Sequence, residues 1–263
     1  MQVVDERRQN SSALRYRDPP EALEDLARIT RCRRDQEIYR QEDPVESWYR
    51  VVSGVLRRFA VRPDGRRQIV DFLLPGDCFG FAGGDERHHF AVEAVTNGTT
   101  VTCYPRRRVE RLAESNPEVA QAVRAMTSQA ISRLEAQILI LGRTRAPEKV
   151  GAFLLDMVVR WSHRERAATR VVLPMSRYDI ADYLAVSVET VSRAMTRLKN
   201  RGAISLAGTR RVTIVDRDAL DEGDENDYPA VPRSAGERVL DDRRRGIVDT
   251  TSSPGLWAGA RGR

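Results

Sequence analysis

The stretch MSRYDIADYLAVSVETVSRAMTRLKNRGAI, residues 175–204, limits what this chain can fold into more than any other part of it. Ser176 stands three residues before Asp179, the spacing of a capping box, and Ile180, Ala181 and Leu184 then share one face of a short helix. The pattern breaks at Ala185-Val186. Ser187 can cap a second helix, with Val191, Ala194, Met195 and Leu198 on one side and Glu189, Ser192, Arg193, Thr196 and Asn200 on the other, and Gly202 ends it. Two helices so joined make a helix-turn-helix over residues 176–201. The apolar side of the second helix fixes it to the first, and its polar side is left for base edges in a DNA major groove. Ile204-Ser205-Leu206 and Arg210-Arg211-Val212-Thr213-Ile214, divided by Ala207-Gly208-Thr209, predict a two-stranded wing with basic residues at its turn.

The residue types on the outer face divide the work of binding double-stranded DNA. An arginine donates two hydrogen bonds to guanine O6 and N7, and a carboxylate accepts from cytosine N4, so Arg193 and Glu189 are the candidate base readers. Arg197, Lys199 and Arg201 lie further along and suit phosphates, which orient the protein without specifying sequence. Arg210 and Arg211 of the wing, with Ser187 and Thr190 at the helix start, complete the expected backbone contacts. The alternative for each charge is an ordinary solvated surface.

With 263 residues the chain has room for two domains, each with its own core. Hydrophobic residues make up 41% and charged residues 31%, and no window approaches the roughly eighteen apolar residues of a membrane span, so a soluble protein without membrane contact is expected. The opening MQVVDERRQNSSALRYRDPP has no apolar core of a secretory signal, which points to the cytoplasm. Cys32, Cys78 and Cys103 are too far apart for a CxxC metal site and too few for a disulfide framework. The net charge is +6, and Lys149 and Lys199 are the only lysines. Arginine suits phosphate contact, but an arginine bias also follows from genome base composition, so the bulk charge identifies no partner.

Residues 1–20 read as a flexible lead, and 21–31 (EALEDLARITR) as a short amphipathic helix. Segments 36–40, 48–61, 67–74, 77–82, 89–95 and 99–104 are rich in Val, Ile and Phe and divided by turn residues, Pro63-Asp64-Gly65 among them. They predict a small β-roll within 21–115. From Pro117 to Thr144 no proline interrupts the chain and the first glycine is Gly142; Val123, Thr127, Ile131, Leu134, Ile138 and Leu141 recur at three- and four-residue steps along it. That narrow seam within 116–145 predicts the interface of a homodimer, the alternative being a helix packed on its own β-domain. A second helix after Pro147 and a short strand at 170–173 lead into the helix-turn-helix, closing a domain over 146–220. The remainder, 221–263, is acidic and then rich in Ser, Pro and Gly, and reads as a mostly disordered tail.

This order, an α+β chain with a β-roll, a long dimerisation helix and a C-terminal winged helix-turn-helix, resembles the CRP/FNR superfamily of bacterial transcription regulators over about residues 21–220. The run VETVSR, 188–193, with RYDIADYL before it and RLKNRGAI after it, is similar to the FNR and FixK branch, which carries Glu-x-x-Ser-Arg in its recognition helix. The resemblance implies that Glu189, Ser192 and Arg193 read a TTGA-type half-site, and that a symmetric dimer spans an inverted repeat and contacts RNA polymerase. It also implies a β-roll shaped like a cyclic-nucleotide-binding jelly roll.

The signal is where the chain departs from its look-alikes. Cyclic-nucleotide binders use a Gly-Glu pair followed by an Arg-Ser pair; here Gly80 is followed by Phe81, and His88-His89 stands in the Arg-Ser neighbourhood of GFAGGDERHHFAVEAV. The iron–sulfur sensors need a cluster of N-terminal cysteines, and only Cys32 is near. No cofactor is therefore expected, as in FixK-type regulators, whose implied targets are genes of low-oxygen respiration and nitrogen metabolism. Two alternatives share the fold: a haem sensor using His88, His89, Tyr39 or Cys78, and redox sensing at Cys78 or Cys103. A metal enzyme of the cupin type would need His88, His89 and Glu93 together, but neighbours on a strand point to opposite faces, so no enzyme is expected and both histidines read as loop or strand surface.

Overall fold

The computed structural model describes residues 19–81, 87–162 and 169–221. After a single helical turn, α1 (Glu21–Glu24), eight strands follow: β1 (Arg28–Cys32), β2 (Glu37–Tyr39), β3 (Ser47–Ser53), β4 (Leu56–Val61), β5 (Arg67–Leu73), β6 (Cys78–Phe79), β7 (Ala91–Ala94) and β8 (Thr99–Pro105). They form two four-stranded antiparallel sheets, β1-β8-β3-β6 and β2-β7-β4-β5, stacked as a jelly roll. Val51, Leu56, Leu73, Phe79, Val92 and Val101 are buried between them. The β4–β5 hairpin turns where Pro63-Asp64-Gly65 predicts it, with Gly65 at φ +77° and Arg62 accepting from the Gly65 N–H at 2.9 Å.

The expected helix over 21–31 is largely wrong: it stops at Glu24, and Arg28–Cys32 pairs with β8 as an edge strand. Leu23, Leu26 and Ile29 mimic helical spacing, and β1 gives no strand signal because four of its five residues, Ile29 included, face solvent. The segment expected at 48–61 is two strands.

Helices α2 (Arg106–Ser115), α3 (Pro117–Leu141) and α4 (Ala146–Ser162) come next. The Asn116 side chain caps α3, accepting from the Glu118 and Val119 N–H groups at 3.0 and 3.2 Å, with Pro117 at the position where a helix tolerates it. Strand β9 (Arg170–Val172) leads to α5 (Arg177–Leu184), α6 (Val188–Asn200), β10 (Ile204–Ala207), β11 (Arg211–Ile214) and a terminal turn, α7 (Asp218–Asp221). The wing is a three-stranded sheet, β10-β11-β9. The readings of 1–18 as flexible and of the tail beyond 221 as disordered lie outside the described residues.

A β-bulge in β5, where Arg58 pairs with Asp71 and Phe59 with Ile69 so that Val70 is the extra residue, puts Ile69 and Phe72 on one face of the sheet. Leu56 points into the roll and Phe59 joins the core that contains the helix-turn-helix, together with Ile69 and Phe72. There Phe72 packs against Tyr183 of α5, ring centres 5.2 Å apart, and Phe153 of α4 lies 5.5 Å from Tyr183. A second joint is ionic. Asp71 and Asp77, both from the β5–β6 region, hold Arg133 of α3 and Arg160 of α4, with Arg160 Nη2 2.7 Å from Asp77 and Arg133 Nε 3.5 Å from Asp71. Roll, long helix and helix-turn-helix domain thus share both a core and a set of buried charges.

Candidate nucleic-acid interface

Each half of the helix-turn-helix is held by the group the sequence nominates. Ser176 Oγ accepts from the Asp179 N–H at 3.1 Å while Asp179 Oδ2 accepts from the Ser176 N–H at 2.9 Å, a reciprocal capping box on α5. Ala185 closes α5 in the left-handed region at φ +53°. Ser187 Oγ then caps α6 by accepting from the Thr190 N–H at 3.1 Å. Val191, Ala194, Met195 and Leu198 are buried, each at 3% exposure or less, so α6 has no freedom to roll about its axis.

That fixes what α6 shows to solvent. Glu189, Ser192, Arg193, Thr196, Arg197, Lys199 and Asn200 are exposed on it, and Thr190 is half-buried. Glu189 and Arg193 stand one turn apart near the N-terminal end, where a recognition helix enters the groove. Hydrogen bonds from its own backbone N–H and from Ser187 hold the Glu189 carboxyl below the usual range, so it is an obligate acceptor at neutral pH. Ser192 Oγ donates to the Val188 carbonyl at 2.9 Å, which leaves its lone pairs able to accept a further hydrogen bond. Arg210 and Arg211 are exposed at the wing turn, and Arg177 at the start of α5 donates to Thr209 O at 3.4 Å, tying the wing to the helix pair. Arg177 was not among the sequence candidates.

The seam expected along α3 divides in two. Ile131 and Ile138 are exposed, joined by Leu139, which the three- and four-residue spacing does not select. Val123, by contrast, packs with Leu23, Tyr104, Val109 and Val119, so its share of the seam is used inside the same chain. Thr127 donates to the Val123 carbonyl at 3.0 Å, Leu141 is half-buried, and Leu134 lines a cavity in the roll.

That cavity, about 220 Å³, is lined by Tyr39, Arg58, Gly80, Phe81, His88, His89 and Phe90 as well as Leu134. Two sequence readings fail here. His88 is buried at 4% exposure and stacks on Tyr39 with ring centres 3.6 Å apart, so it is no surface residue. Burial lowers its pKa to about 4 and keeps the ring neutral. His88 and His89 also line the same cavity, because the chain bends there instead of running as a regular strand and strand alternation does not apply. The third residue of the supposed metal motif is turned away: Glu93 accepts from Arg57 at 2.6 Å and Arg67 at 3.0 Å. Among the described residues, no carboxylate lines the cavity for a ribose, and its volume is below the roughly 300 Å³ at which small-molecule pockets begin. Burial pushes the Cys78 thiol up to about 12, leaving no thiolate for redox chemistry at neutral pH.

Comparison with known proteins agrees with this geometry. The Crp-like helix-turn-helix domain family matches residues 148–222, and the cyclic nucleotide-binding domain family matches residues 29–116. The nitrogen fixation regulation protein FixK of Azorhizobium caulinodans is 44% identical over 71% of this chain and 75% of its own length. The transcriptional activator protein FnrA of Stutzerimonas stutzeri is 32% identical over 74% of this chain and 80% of its own. The solved structure of FixK2 from Bradyrhizobium japonicum superposes with a TM-score of 0.68 at 39% identity, covering 76% of this chain and 99% of that one.

Proposed function

Because the chain belongs to the CRP/FNR family of transcription regulators, on its FixK-like branch, we propose that it is a homodimer that reads a TTGA-type inverted repeat and contacts RNA polymerase. Glu189, Ser192 and Arg193 specify bases; Ser187, Thr190, Arg197, Lys199, Arg210 and Arg211 hold the phosphate backbone. The observation that carries this reading is the outer face of α6, where a cap and four buried residues hold Glu189, Ser192 and Arg193 in the open. Ile131, Ile138 and Leu139 supply the exposed apolar surface on α3 through which two copies pair. The roll works without cyclic nucleotide or iron–sulfur cluster, and the targets, by the company of its relatives, are genes of low-oxygen respiration and nitrogen metabolism.

Selection of bound duplexes from a random pool, with no added ligand and at two salt concentrations, tests the whole proposal. A palindrome with half-sites about one helical turn apart is the expected outcome. Binding that appears only with a small molecule, or that has no sequence preference once salt suppresses phosphate contact, overturns it.

A further inference from the structure

The roll and the reading domain are joined by a second ionic joint, between Arg57 and Arg67 of the roll and Asp179 and Asp182 of α5. Arg57 of β4 is 8% exposed and divides its guanidinium three ways: Nε to Glu93 at 2.6 Å, Nη1 to Asp179 at 2.8 Å and Nη2 to Asp35 at 3.0 Å. Arg67 of β5 lies beside it, with Nη1 3.0 Å from Glu93, Nη2 3.2 Å from Asp179 and Nε 3.5 Å from Asp182. Asp179 and Asp182 belong to α5, the helix against which α6 is fixed. The neighbouring Gln68 side chain donates to the Asp182 carbonyl as well.

Asp179 is the informative residue. It is 2% exposed, and its two oxygens are divided between domains: Oδ2 closes the capping box of α5, while Oδ1 accepts from both roll arginines. A buried carboxylate with full partners has one well-defined geometry, because any rotation of α5 leaves charges unpaired in a low-dielectric setting. An apolar contact such as Phe72 on Tyr183 tolerates sliding, whereas two planar guanidiniums bound to the same carboxylate do not.

We propose that Arg57 and Arg67 are positioning residues for DNA reading: by holding Asp179 they set the angle of the helix-turn-helix on the roll, and so the half-site separation that a dimer accepts. This rests on the functional reading above. In a symmetric dimer the two reading helices must meet grooves at one separation, and each is placed by its own roll through this joint.

Arg57→Met, Arg67→Met and the double variant of the full-length chain test it, on duplexes carrying the wild-type palindrome with its half-sites moved closer or further apart by one or two base pairs. The double variant is expected to bind the native spacing about tenfold more weakly and to lose most of its preference over the altered spacings, with base preference inside each half-site unchanged. Equal losses at every spacing mean the arginines serve folding only, and unchanged or tighter binding means they do not position the head for reading; either result overturns the proposal. Should the double variant fail to fold, Arg57→Lys serves instead, since one ammonium cannot address three carboxylates along fixed directions. The distance between probes at the exposed Val61 of the roll and Val215 beyond the wing, measured without DNA, gives a separate readout. It should be single and narrow in the wild type and broad in the variant. A wild type that selects no palindrome while its variants broaden this distance refutes the DNA-reading function and leaves the joint intact; an unchanged distance refutes the joint.

Discussion

Arg57 and Arg193 carry the same guanidinium in opposite circumstances. Arg57 is buried between domains with three carboxylates around it, while Arg193 stands in solvent on α6 beside one carboxylate, Glu189. The same contrast runs through the molecule. Arg133 and Arg160 are likewise enclosed between the roll and its helices and paired with Asp71 and Asp77, whereas Glu189 and Arg193 on α6 and Arg210 and Arg211 at the wing turn are exposed. Enclosed charge holds geometry because breaking one pair strands its partner. Exposed charge adds little to stability and so remains available to a ligand.

Four measurements can break or sharpen this contrast. The largest effect is expected for Arg160→Met, which leaves Asp71, Asp77 and Asp156 facing one another with one cation fewer: about 3–5 kcal/mol lost in urea unfolding. A loss under about 1 kcal/mol there would erase the distinction between buried and open charge. Next is pH. His88 stays neutral in the folded chain down to about pH 4, but protonates near 6.5 when unfolded, so the unfolded state takes up the proton first. Stability therefore falls as pH drops from 6.5 to 4, by up to about 3 kcal/mol, and is flat with respect to this group above and below. His88→Phe, which keeps the stack on Tyr39, should remove that component from the pH profile. At the open face, Arg193→Ala should cost about 1–3 kcal/mol of discrimination at one base pair per half-site, measured by competition, with folding stability changed by less than about 0.5 kcal/mol. Ser187→Ala, which removes the α6 cap together with one proposed phosphate contact, should lower stability by about 1 kcal/mol in thermal unfolding and weaken binding about equally on all sequences, leaving base preference largely in place.

The open half of the contrast could be read from the chain, and the enclosed half could not. The capping residues Ser176 and Ser187, the buried Val191, Ala194, Met195 and Leu198, and the strands either side of Gly65 all follow from local spacing, which is visible over ten or fifteen residues. Arg57 and Asp179 are 122 positions apart, and no periodicity announces that they meet. Alternation along Leu56-Arg57-Arg58-Phe59 puts Arg58 on the Leu56 side, where it lines the roll cavity, and Arg57 on the Phe59 side, which nothing local marks as covered. Strand β1 was hidden for another reason, since an edge strand with its side chains in water has no alternation to detect. Val123 is half-buried against its own chain, a contact that helical spacing cannot tell from one with a partner chain.

The divided carboxylate of Asp179 bears on how such regulators could be recombined. Sequence would suggest cutting before α4, at the start of the domain over 146–220, and grafting that domain onto a different sensor. A transplanted domain would arrive with Asp179 still capping its own helix through Oδ2, but with Oδ1 facing whatever the new roll offered in place of Arg57 and Arg67. On the proposed reading, such a chimera folds and still loses its register between half-sites. A graft therefore keeps its geometry only where the receiving roll offers arginines at the β4 and β5 positions that Arg57 and Arg67 hold here.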